Sequence, residues 1–371
     1  MFKLITRLKT KQAPLRYLFL LGLMLLLNAC GSSSPKKDNL SLVKPDVIAQ
    51  RPQQRSQFTE HNSVDHSKVV YSGVFPKPMA LEPAVDFWRK TYAIWPRSQV
   101  AVHDDRYLDI VYEVVTVPGN VGEGLTIEQK EFVSQRREYW KSQLAGLEAK
   151  LRYGAELNAH DRHVINKYES TGKPLSFING ASDRVRTQRG TRERFKRGLE
   201  ISGRYDRQFR KIFREAGLPE DFAYLPHVES SFQVAAKSSA GAVGLWQFTK
   251  SAAKTFIPGH DSVDRRMDPI VSANGAARYL SHAYGKLGNW PTAVTSYNHG
   301  IGGMKRAQNQ IGPDFTRIVE QYDGPAFGFA SRNYYAQFLA AREIASNPQQ
   351  YYSEGILYET PGDNSQLLAY K

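Results

Sequence analysis

The sequence predicts an α+β fold that is predominantly α-helical and divided into two domains. Three observations support this prediction. Apolar residues recur at helical spacing in several segments, glycine-bearing loops separate many of these segments, and β-rich runs occur as one neighbouring pair. The chain has 371 residues, of which 41% are hydrophobic, so it is long enough to bury a core in each of two domains.

Residues 66–200 are predicted to form a mostly helical accessory domain. Apolar periodicity indicates its helices, and two β-rich runs on either side of a short polar turn indicate a hairpin. The predicted elements, in order, are a helix over residues 84–95, hairpin strands at residues 99–103 and 109–117, a long helix over residues 127–153, and a helix that begins near Asp161.

Residues 201–346 have shorter helical segments between glycine-bearing loops, and we expect a second domain there. Gly217 is predicted to end the first helix, and Asp221 to cap the next one, which runs toward Ser231. Residues 347–371 are predicted to form an irregular tail. The other predicted helices of the second domain lie within residues 205–216, 278–287, 291–297 and 334–344.

The N-terminus carries an export signal. Five Lys or Arg residues precede an apolar run, residues 17–27, which is too short to span a membrane but suits the core of a signal peptide. Cys30, the single cysteine, follows two small or polar residues in a pattern that resembles a bacterial lipoprotein signal. We therefore expect a signal peptide at residues 1–29, a lipid anchor on Cys30 and a flexible tether over residues 30–65. The alternative is a plain secretory signal with an incidental cysteine.

The residue after Cys30 is Gly31 rather than Asp, which by resemblance to enteric lipoproteins favours an outer-membrane lipoprotein that faces the periplasm. The formal net charge of +14 favours an anionic partner. Export excludes nucleic acid, so anionic lipid and an anionic wall polymer remain. Residues 184–214 carry twelve Arg or Lys against three acids. This run is either a solvated helical face or a contact surface for an anionic polymer.

Glu229 is the strongest candidate for a catalytic group. In the stretch LPHVESSF, helical spacing places it on one face with Leu225 and Phe232. A carboxyl in apolar surroundings is desolvated, which raises its pKa and keeps it protonated near neutrality, as a general acid requires. The alternative is an ordinary exposed glutamate.

Three further stretches are candidates for substrate contacts. In SAGAVGLWQF, two glycines allow close backbone approach, Trp246 offers an aromatic face and Gln247 an amide, which suits a sugar ring with an N-acetyl group. In TSYNHG, Tyr297 and Asn298 could bond the substrate or the catalytic carboxyl. In SRNYY, one of two tyrosines could reach the cleft. Each stretch alone also fits a purely structural role, and His299 is assigned none.

Together and in this order, the motifs VESSF, SAGAVGLWQF, DRRMDP, SYNHG and SRNYY resemble the catalytic domain of the soluble-lytic-transglycosylase family, from about Leu218 to Ala341. Upstream, RVRTQRGTRERF and SGRY resemble the murein transglycosylase D subgroup. The resemblance implies a lysozyme-like catalytic domain behind the helical accessory domain. It also implies peptidoglycan glycan strands as the substrate, with no metal and no cofactor.

The resemblance also implies roles for individual residues. Glu229 corresponds to the family's single catalytic acid, which protonates the leaving oxygen at a MurNAc-GlcNAc β-1,4 bond and then deprotonates the muramyl C6 hydroxyl, giving a 1,6-anhydro product without water. The residues that correspond to the substrate cleft are Ser230, Gly244, Leu245, Trp246, Gln247, Phe248, Tyr297, Asn298 and Tyr334.

Three departures from the family pattern are seen, and the first is Ala330, two residues before Arg332, where the family often has an acid. Arg265 stands where a Glu is common, and the wall-binding LysM modules usual in the D subgroup are not seen, so we expect wall attachment to rest on the lipid anchor, the basic surface or the cleft. A second carboxylate in the cleft would make the protein a lysozyme-like hydrolase. A cleft without turnover would make it a wall-binding lipoprotein. The nearest downstream carboxylates are Asp261, Asp264, Asp268 and Asp314.

Overall fold

The computed structural model describes residues 73–259 and 263–361. The predicted signal peptide, the lipidation site Cys30 and the predicted tether lie outside this part of the chain, as do the last ten residues of the predicted tail. Within the described residues, none of the helices is both long enough and apolar enough to cross a membrane.

The first described elements are helical and then β-structured, as predicted. Helix α1 (Glu82–Arg89) continues into a π-helical turn, Lys90–Ile94. Strands β1 (Gln99–Asp104) and β2 (Val111–Thr116) form the predicted antiparallel hairpin, with Gln99 opposite Thr116. A shift of the register after Val102 marks an irregularity in this pair.

A third strand, β3 (Val185–Arg189), pairs antiparallel with β1 and gives the sheet order β2-β1-β3. The sequence did not predict this strand, because it lies in the basic run that was interpreted as a helical face. Its backbone pairs with β1 along the side opposite β2, so both sides of the central strand are hydrogen-bonded. The long-range pairing therefore outweighs local composition.

Helix α2 (Ile127–Tyr153) has the predicted bounds. A capping box between Thr126 and Gln129 begins it, and Gly154 ends it in the left-handed conformation (φ 66°). Its buried face, which includes Trp140 and Leu144, packs with the sheet and with α3 (Ala159–Ser170) in a small separate core. The indole N–H of Trp140 donates to Glu113 of β2 at 2.8 Å.

The rest of the described chain is helical, in agreement with the predicted fold class. The pattern of short helices between glycine-bearing loops is present, although three of the predicted helices are longer than predicted and two are shorter. The helices are α4 (Arg192–Ser202), α5 (Asp206–Glu215), α6 (Leu225–Glu229), α7 (Lys250–Phe256), α8 (Pro269–Leu287), α9 (Trp290–His299), α10 (Ile301–Ile311), α11 (Phe315–Gln321) and α12 (Phe329–Ser346).

The main hydrophobic core does not divide at residue 200, where the sequence predicted a boundary between domains. Residues of α1 belong to the same cluster as those of α5, α8, α9 and α12. Phe75, for example, lies 5.1 Å from Phe222 and 5.0 Å from Phe338 between ring centroids. The partly buried Arg89 of α1 also donates to Glu343 of α12 at 2.9 Å. The N-terminal segment therefore completes the core around the downstream helices.

Most of the basic side chains between residues 184 and 214 are engaged within the protein. Arg184 pairs with the buried Asp104 at 2.9 Å, and Arg192 pairs with Glu354 at 2.9 Å. Arg210 pairs with Asp206 at 2.8 Å. Part of this run therefore connects the sheet, the helices and the C-terminal segment, while Arg207, Lys211 and Arg214 are exposed as a solvated face would be.

The segment after α12 is irregular, as predicted, but it packs against the protein. Tyr352 is buried, and its hydroxyl donates to the backbone carbonyl of Tyr92 at 2.7 Å. Further along, Glu359 pairs with Arg204, and its amide donates to Glu200 at 2.8 Å. We call residues 347–361 the C-terminal strap.

We predict that Glu359→Ala will lower the free energy of unfolding by about 3 kcal/mol, because it removes the carboxylate beside the buried Arg204 charge. The matched control is Glu354→Ala on the same strap. Its partner Arg192 is more exposed, so we expect a loss of about 1 kcal/mol or less. Urea unfolding measures both variants. Equal losses would contradict the role assigned to the Arg204–Glu359 pair.

Candidate active site

Glu229 is the last residue of the short helix α6. The helix is not built as the sequence predicted. A 3₁₀ turn, Glu220–Tyr224, precedes α6, and Asp221 does not cap it. The Asp221 carboxylate instead accepts from Arg342 of α12 at 2.5 Å. This interaction holds the 3₁₀ turn that precedes α6 against the long helix α12.

The chain turns sharply directly after the acid. Ser231 (φ 51°) and Phe232 (φ 56°) both have left-handed backbone conformations, which cost energy for residues other than glycine and tend to occur at functional sites. The turn is held from two sides. Ser230 Oγ donates to the Leu245 carbonyl at 2.9 Å, and Gly198 of α4 lies so close that a Cβ there would be 2.8 Å from the Ser231 carbonyl oxygen.

The Glu229 side chain is partly exposed, but its carboxyl group is largely removed from water. Burial raises the pKa of Glu229 from 4.5 to about 7, although a hydrogen bond from the Tyr334 hydroxyl to Oε1 opposes that rise. The prediction that Glu229 lies in apolar surroundings with a raised pKa therefore agrees with the structure. The carboxyl group is partly protonated at neutral pH and reachable from the surface.

Four tyrosines lie within electrostatic reach of this carboxyl group. Burial raises the pKa of each phenol, and the Glu229 carboxylate raises it further, so all four are neutral near pH 7. Tyr297 donates to the Trp246 carbonyl at 2.9 Å, and Tyr279 donates to the Ser296 carbonyl at 2.6 Å. The four residues are Tyr92, Tyr279, Tyr297 and Tyr334.

Tyr297 and Tyr334 were predicted site residues, whereas Tyr92 and Tyr279 were not. Tyr279 is on α8, where apolar periodicity marks it only as a core position. Tyr92 belongs to the π-helical turn after α1, more than a hundred residues before the acid, and no motif or spacing connects the two in the sequence.

Among the described residues, no second carboxylate contributes to the pKa of Glu229. Asp264 pairs with Arg266 at 2.8 Å. Asp268 and Asp314 accept backbone N–H bonds at the first turns of α8 and α11, respectively. Asp261 lies outside the described residues. The described carboxylates that could have supported a two-carboxylate mechanism therefore have structural partners.

The loop over residues 239–248 packs its large side chains into the core next to the site. Trp246 is 0% exposed and packs on Phe209 with ring centroids 5.0 Å apart. The expectation that its indole faces a sugar ring is therefore wrong. Leu245 and Phe248 are buried as well, so none of these three side chains is accessible to a substrate. A tertiary contact decides this, because the core offers the indole more apolar surface than a loop can.

Two further residues of this loop, Gln247 and Gly244, are constrained by their backbone conformations and by nearby backbone carbonyls. Gln247 has a left-handed conformation (φ 48°), and its amide N–H donates to the Gly244 carbonyl at 2.8 Å. Gly244 has φ 80°, and a Cβ there would lie 2.4 Å from the Arg266 carbonyl oxygen, so only glycine fits. The Gln247 amide thus has a structural use, and a contact with an N-acetyl group is not required to explain it.

Asn298 is partly exposed, and its Oδ1 accepts from the buried Ser331 hydroxyl at 2.7 Å. Ser331 belongs to α12, one turn before Tyr334. Helix α12 therefore holds Asn298 of α9 through Ser331 and also carries Tyr334. The neighbouring His299 is buried with Phe327 at 5.1 Å, and burial lowers its pKa, which agrees with a structural histidine.

The described residues contain no group of three or more His, Cys, Asp or Glu that could hold a metal ion.

Residues 210–314 match the family model of the Transglycosylase SLT domain. This match confirms the resemblance that the sequence motifs predicted. It includes Glu229, the loop over residues 239–248 and the Tyr297–Asn298 pair. Tyr334 and Tyr92 lie outside the matched residues.

Two of the curated relatives have names that indicate related chemistry. Membrane-bound lytic murein transglycosylase D of Escherichia coli is 29% identical over 164 residues, which make up 42% of this chain and 34% of that protein. Peptidoglycan transglycosylase gp16 of Escherichia phage T7 is 32% identical over 152 residues, which make up 39% of this chain and 10% of that protein. The chain thus spans about a third or less of the length of these two relatives.

Among solved structures, the 70 kDa soluble lytic transglycosylase of Escherichia coli aligns at 18% identity with a TM-score of 0.35. The alignment covers 61% of this chain and 44% of that chain. A TM-score this low does not establish a common overall fold.

We predict that the stability difference between Glu229→Gln and the unsubstituted protein depends on pH. Because the folded-state pKa of about 7 lies above the unfolded value of 4.5, the stability that Glu229 contributes is complete below pH 4.5 and is lost as pH rises through 7. The glutamine variant does not lose it. Relative to the unsubstituted protein, the variant should therefore gain about 3 kcal/mol between pH 4 and pH 8.

Urea unfolding at both pH values measures this difference. Glu215→Gln is the matched control, because it makes the same substitution at an exposed position. A difference for Glu229→Gln that is the same at pH 4 and pH 8 would mean that its carboxyl group titrates as in the unfolded chain.

Proposed function

We propose that this protein is a lytic transglycosylase that cleaves the MurNAc-GlcNAc β-1,4 bond of peptidoglycan without water and leaves 1,6-anhydromuramyl ends. One observation carries the proposal. The described site has one catalytic carboxyl candidate, Glu229, which is desolvated, bonded to Tyr334 and surrounded by neutral phenols rather than by a second carboxylate. The SLT domain match and the names of the two relatives support the same substrate class.

The first step requires a protonated carboxyl group. With a pKa of about 7, roughly half of Glu229 carries its proton at neutral pH, and it gives this proton to the leaving N-acetylglucosamine oxygen. The hydrogen bond from Tyr334 is stronger to the ionised form than to the acid, so it stabilises the carboxylate that the step produces.

The second step uses that carboxylate as a base. It removes the proton from the C6 hydroxyl of the muramyl residue, and that oxygen closes on C1 of the same sugar. Glu229 is thereby returned to its protonated form. Intramolecular attack has a high effective molarity, so neither a nucleophilic carboxylate nor an activated water is needed. Ordinary two-carboxylate glycosidases need one or the other.

The substrate contacts come from partly exposed groups rather than from the buried loop side chains. Asn298 has its Oδ1 held by Ser331, which leaves its Nδ2 to donate to a substrate carbonyl such as that of an acetamido group. The phenol dipoles of Tyr297 and Tyr334 lie beside the acid, where charge develops on the sugar ring during glycosidic cleavage. Ser230 and the residues from Gly244 to Phe248 hold the walls of the site in place.

We expect purified sacculi treated with the protein to release anhydromuramyl products, and Glu229→Gln to reduce that release by about 10² to 10⁴-fold, because the general acid is lost. Mass spectrometry of the soluble products measures the release. Glu215→Gln, the same substitution at an exposed position, should keep full activity.

The alternatives give different results in the same assay. Products one water heavier would show a lysozyme-like hydrolase and would reject the proposed reaction. Binding of sacculi without products from a folded protein would favour the wall-binding lipoprotein. Anhydromuramyl products at equal rates from both Glu229→Gln and the unsubstituted protein would reject Glu229 as the acid.

We further propose that the protein is an outer-membrane lipoprotein anchored through Cys30 and facing the periplasm. The N-terminal sequence pattern supports this, and one relative is named membrane-bound. Cys30→Ser should move the protein from the membrane fraction to the soluble fraction, because the acyl chains are lost. Immunoblots of the two fractions measure the change, and anhydromuramyl release by the soluble variant is the control for folding. Unchanged membrane fractionation would contradict the anchor.

A further inference from the structure

Tyr92 contacts the acid's helix through a stack of rings. It is 7% exposed, and its ring stacks on Phe195 of α4 at 4.8 Å with an interplanar angle of 22°. Phe195 in turn stacks on His227 at 4.9 Å and 23°. His227 belongs to α6, two residues before Glu229, and burial lowers its pKa to about 3, so it adds no charge.

Tyr92 contacts the helix of Tyr334 through its hydroxyl group. The hydroxyl donates to Gln337 Oε1 at 3.2 Å. Gln337 is 1% exposed and lies three residues after Tyr334 on α12, about one helical turn away. Tyr92 is therefore connected to both helices that carry the members of the Glu229–Tyr334 hydrogen bond, to α6 through Phe195 and to α12 through its hydroxyl.

The position of Tyr92 itself is held firmly. It lies in the π-helical turn Lys90–Ile94, a conformation that often occurs at functional sites. Its carbonyl accepts from Tyr352 of the C-terminal strap at 2.7 Å. Tyr92 comes before the matched residues 210–314 and Tyr352 comes after them, and their contact fixes the position of Tyr92.

We propose that Tyr92 is a positioning residue for Glu229, because its ring, which stacks on Phe195 and through it on His227 of α6, excludes water from the carboxyl group. The catalytic consequence rests on the proposed function. The packing itself does not.

The groups that face Glu229 from each packed element are known, so the direction of the effect follows. They are the phenols of Tyr334 on α12, Tyr297 on α9, Tyr279 on α8 and Tyr92 itself, all neutral near pH 7. Arg194 of α4 reaches the neighbouring Ser230 carbonyl. A smaller side chain at position 92 leaves this set otherwise unchanged and admits water, which favours the ionised form and lowers the pKa of Glu229.

The test measures the titration of Glu229 directly. Carbon-13 labelling of the glutamate carboxyl groups, with the Glu229 signal assigned by its loss in Glu229→Gln, reports the pKa without turnover. We expect a midpoint near 7 for the unsubstituted protein and a lower one for Tyr92→Leu. Tyr92→Phe should titrate like the unsubstituted protein, because it keeps the ring that packs on Phe195.

The pH dependence of activity should shift together with the pKa of Glu229. The alkaline limb of anhydromuramyl release should move to lower pH in Tyr92→Leu and stay in place in Tyr92→Phe. A fall of one pH unit in the pKa reduces the protonated fraction at pH 7 from about one half to about one tenth, so release at that pH should fall about fivefold.

Phe315→Leu is the matched control for lost stability. Phe315 is buried on α11 against Tyr335, outside the groups that face Glu229, so the control should lower the melting temperature without moving the titration. If circular dichroism shows that Tyr92→Leu does not fold, Tyr92→Met replaces it with the same expectation, since methionine is also smaller than tyrosine and has no ring to stack, while its flexible chain adapts to the site.

A folded Tyr92→Leu or Tyr92→Met variant in which Glu229 titrates as in the unsubstituted protein would overturn the proposal. A shift in Tyr92→Phe as large as in Tyr92→Leu would also overturn it, since the hydroxyl rather than the packed ring would be responsible. Failure of the unsubstituted protein to make anhydromuramyl products would reject the proposed function, while the titration would still decide the positioning role.

Discussion

The burial of one carboxyl group, that of Glu229, is the constraint on which the arrangement of the site depends. A carboxyl that holds its proton near neutrality needs surroundings that exclude water, and such surroundings need closely packed apolar and aromatic side chains. The same carboxyl has to be accessible to a glycan and stable after it loses its proton. The Tyr334 hydrogen bond and the partial exposure of Glu229 satisfy these opposing requirements together.

This constraint explains why distant parts of the chain meet at one point. The acid ends a five-residue helix that has little stability by itself, and two left-handed residues follow it. The surrounding structure supplies what the short helix lacks. Helix α12 contributes Tyr334, the turn after α1 contributes Tyr92, and α4 closes on the Ser231 carbonyl through Gly198. A core that continues across residue 200 is the consequence, because part of the wall around the acid comes from the N-terminal segment.

Long-range contacts also explain the predictions that were wrong. Trp246 looked like a platform for a sugar because it lies in a glycine-rich loop, but the core around Phe209 takes up its indole. Within the basic run, the ion pairs of Arg184 with Asp104 and of Arg192 with Glu354 were not predicted, because these partners are distant in sequence. Strand β3 looked helical because pairing with β1 is invisible to local periodicity. In each case a residue's neighbours in space, rather than in sequence, decided its environment.

The sequence by itself determined the helical fold class, the hairpin, the bounds of α2 and the candidacy of Glu229, Tyr297 and Tyr334. Periodicity, caps and short motifs act over a few residues, so they can be read directly from the chain. Only the tertiary structure decided that Tyr92 and Tyr279 belong beside the acid, that its carboxyl group is desolvated, and that no second described carboxylate affects it. The pKa of a buried group depends on every element packed around it, and no spacing along one chain records which elements those will be.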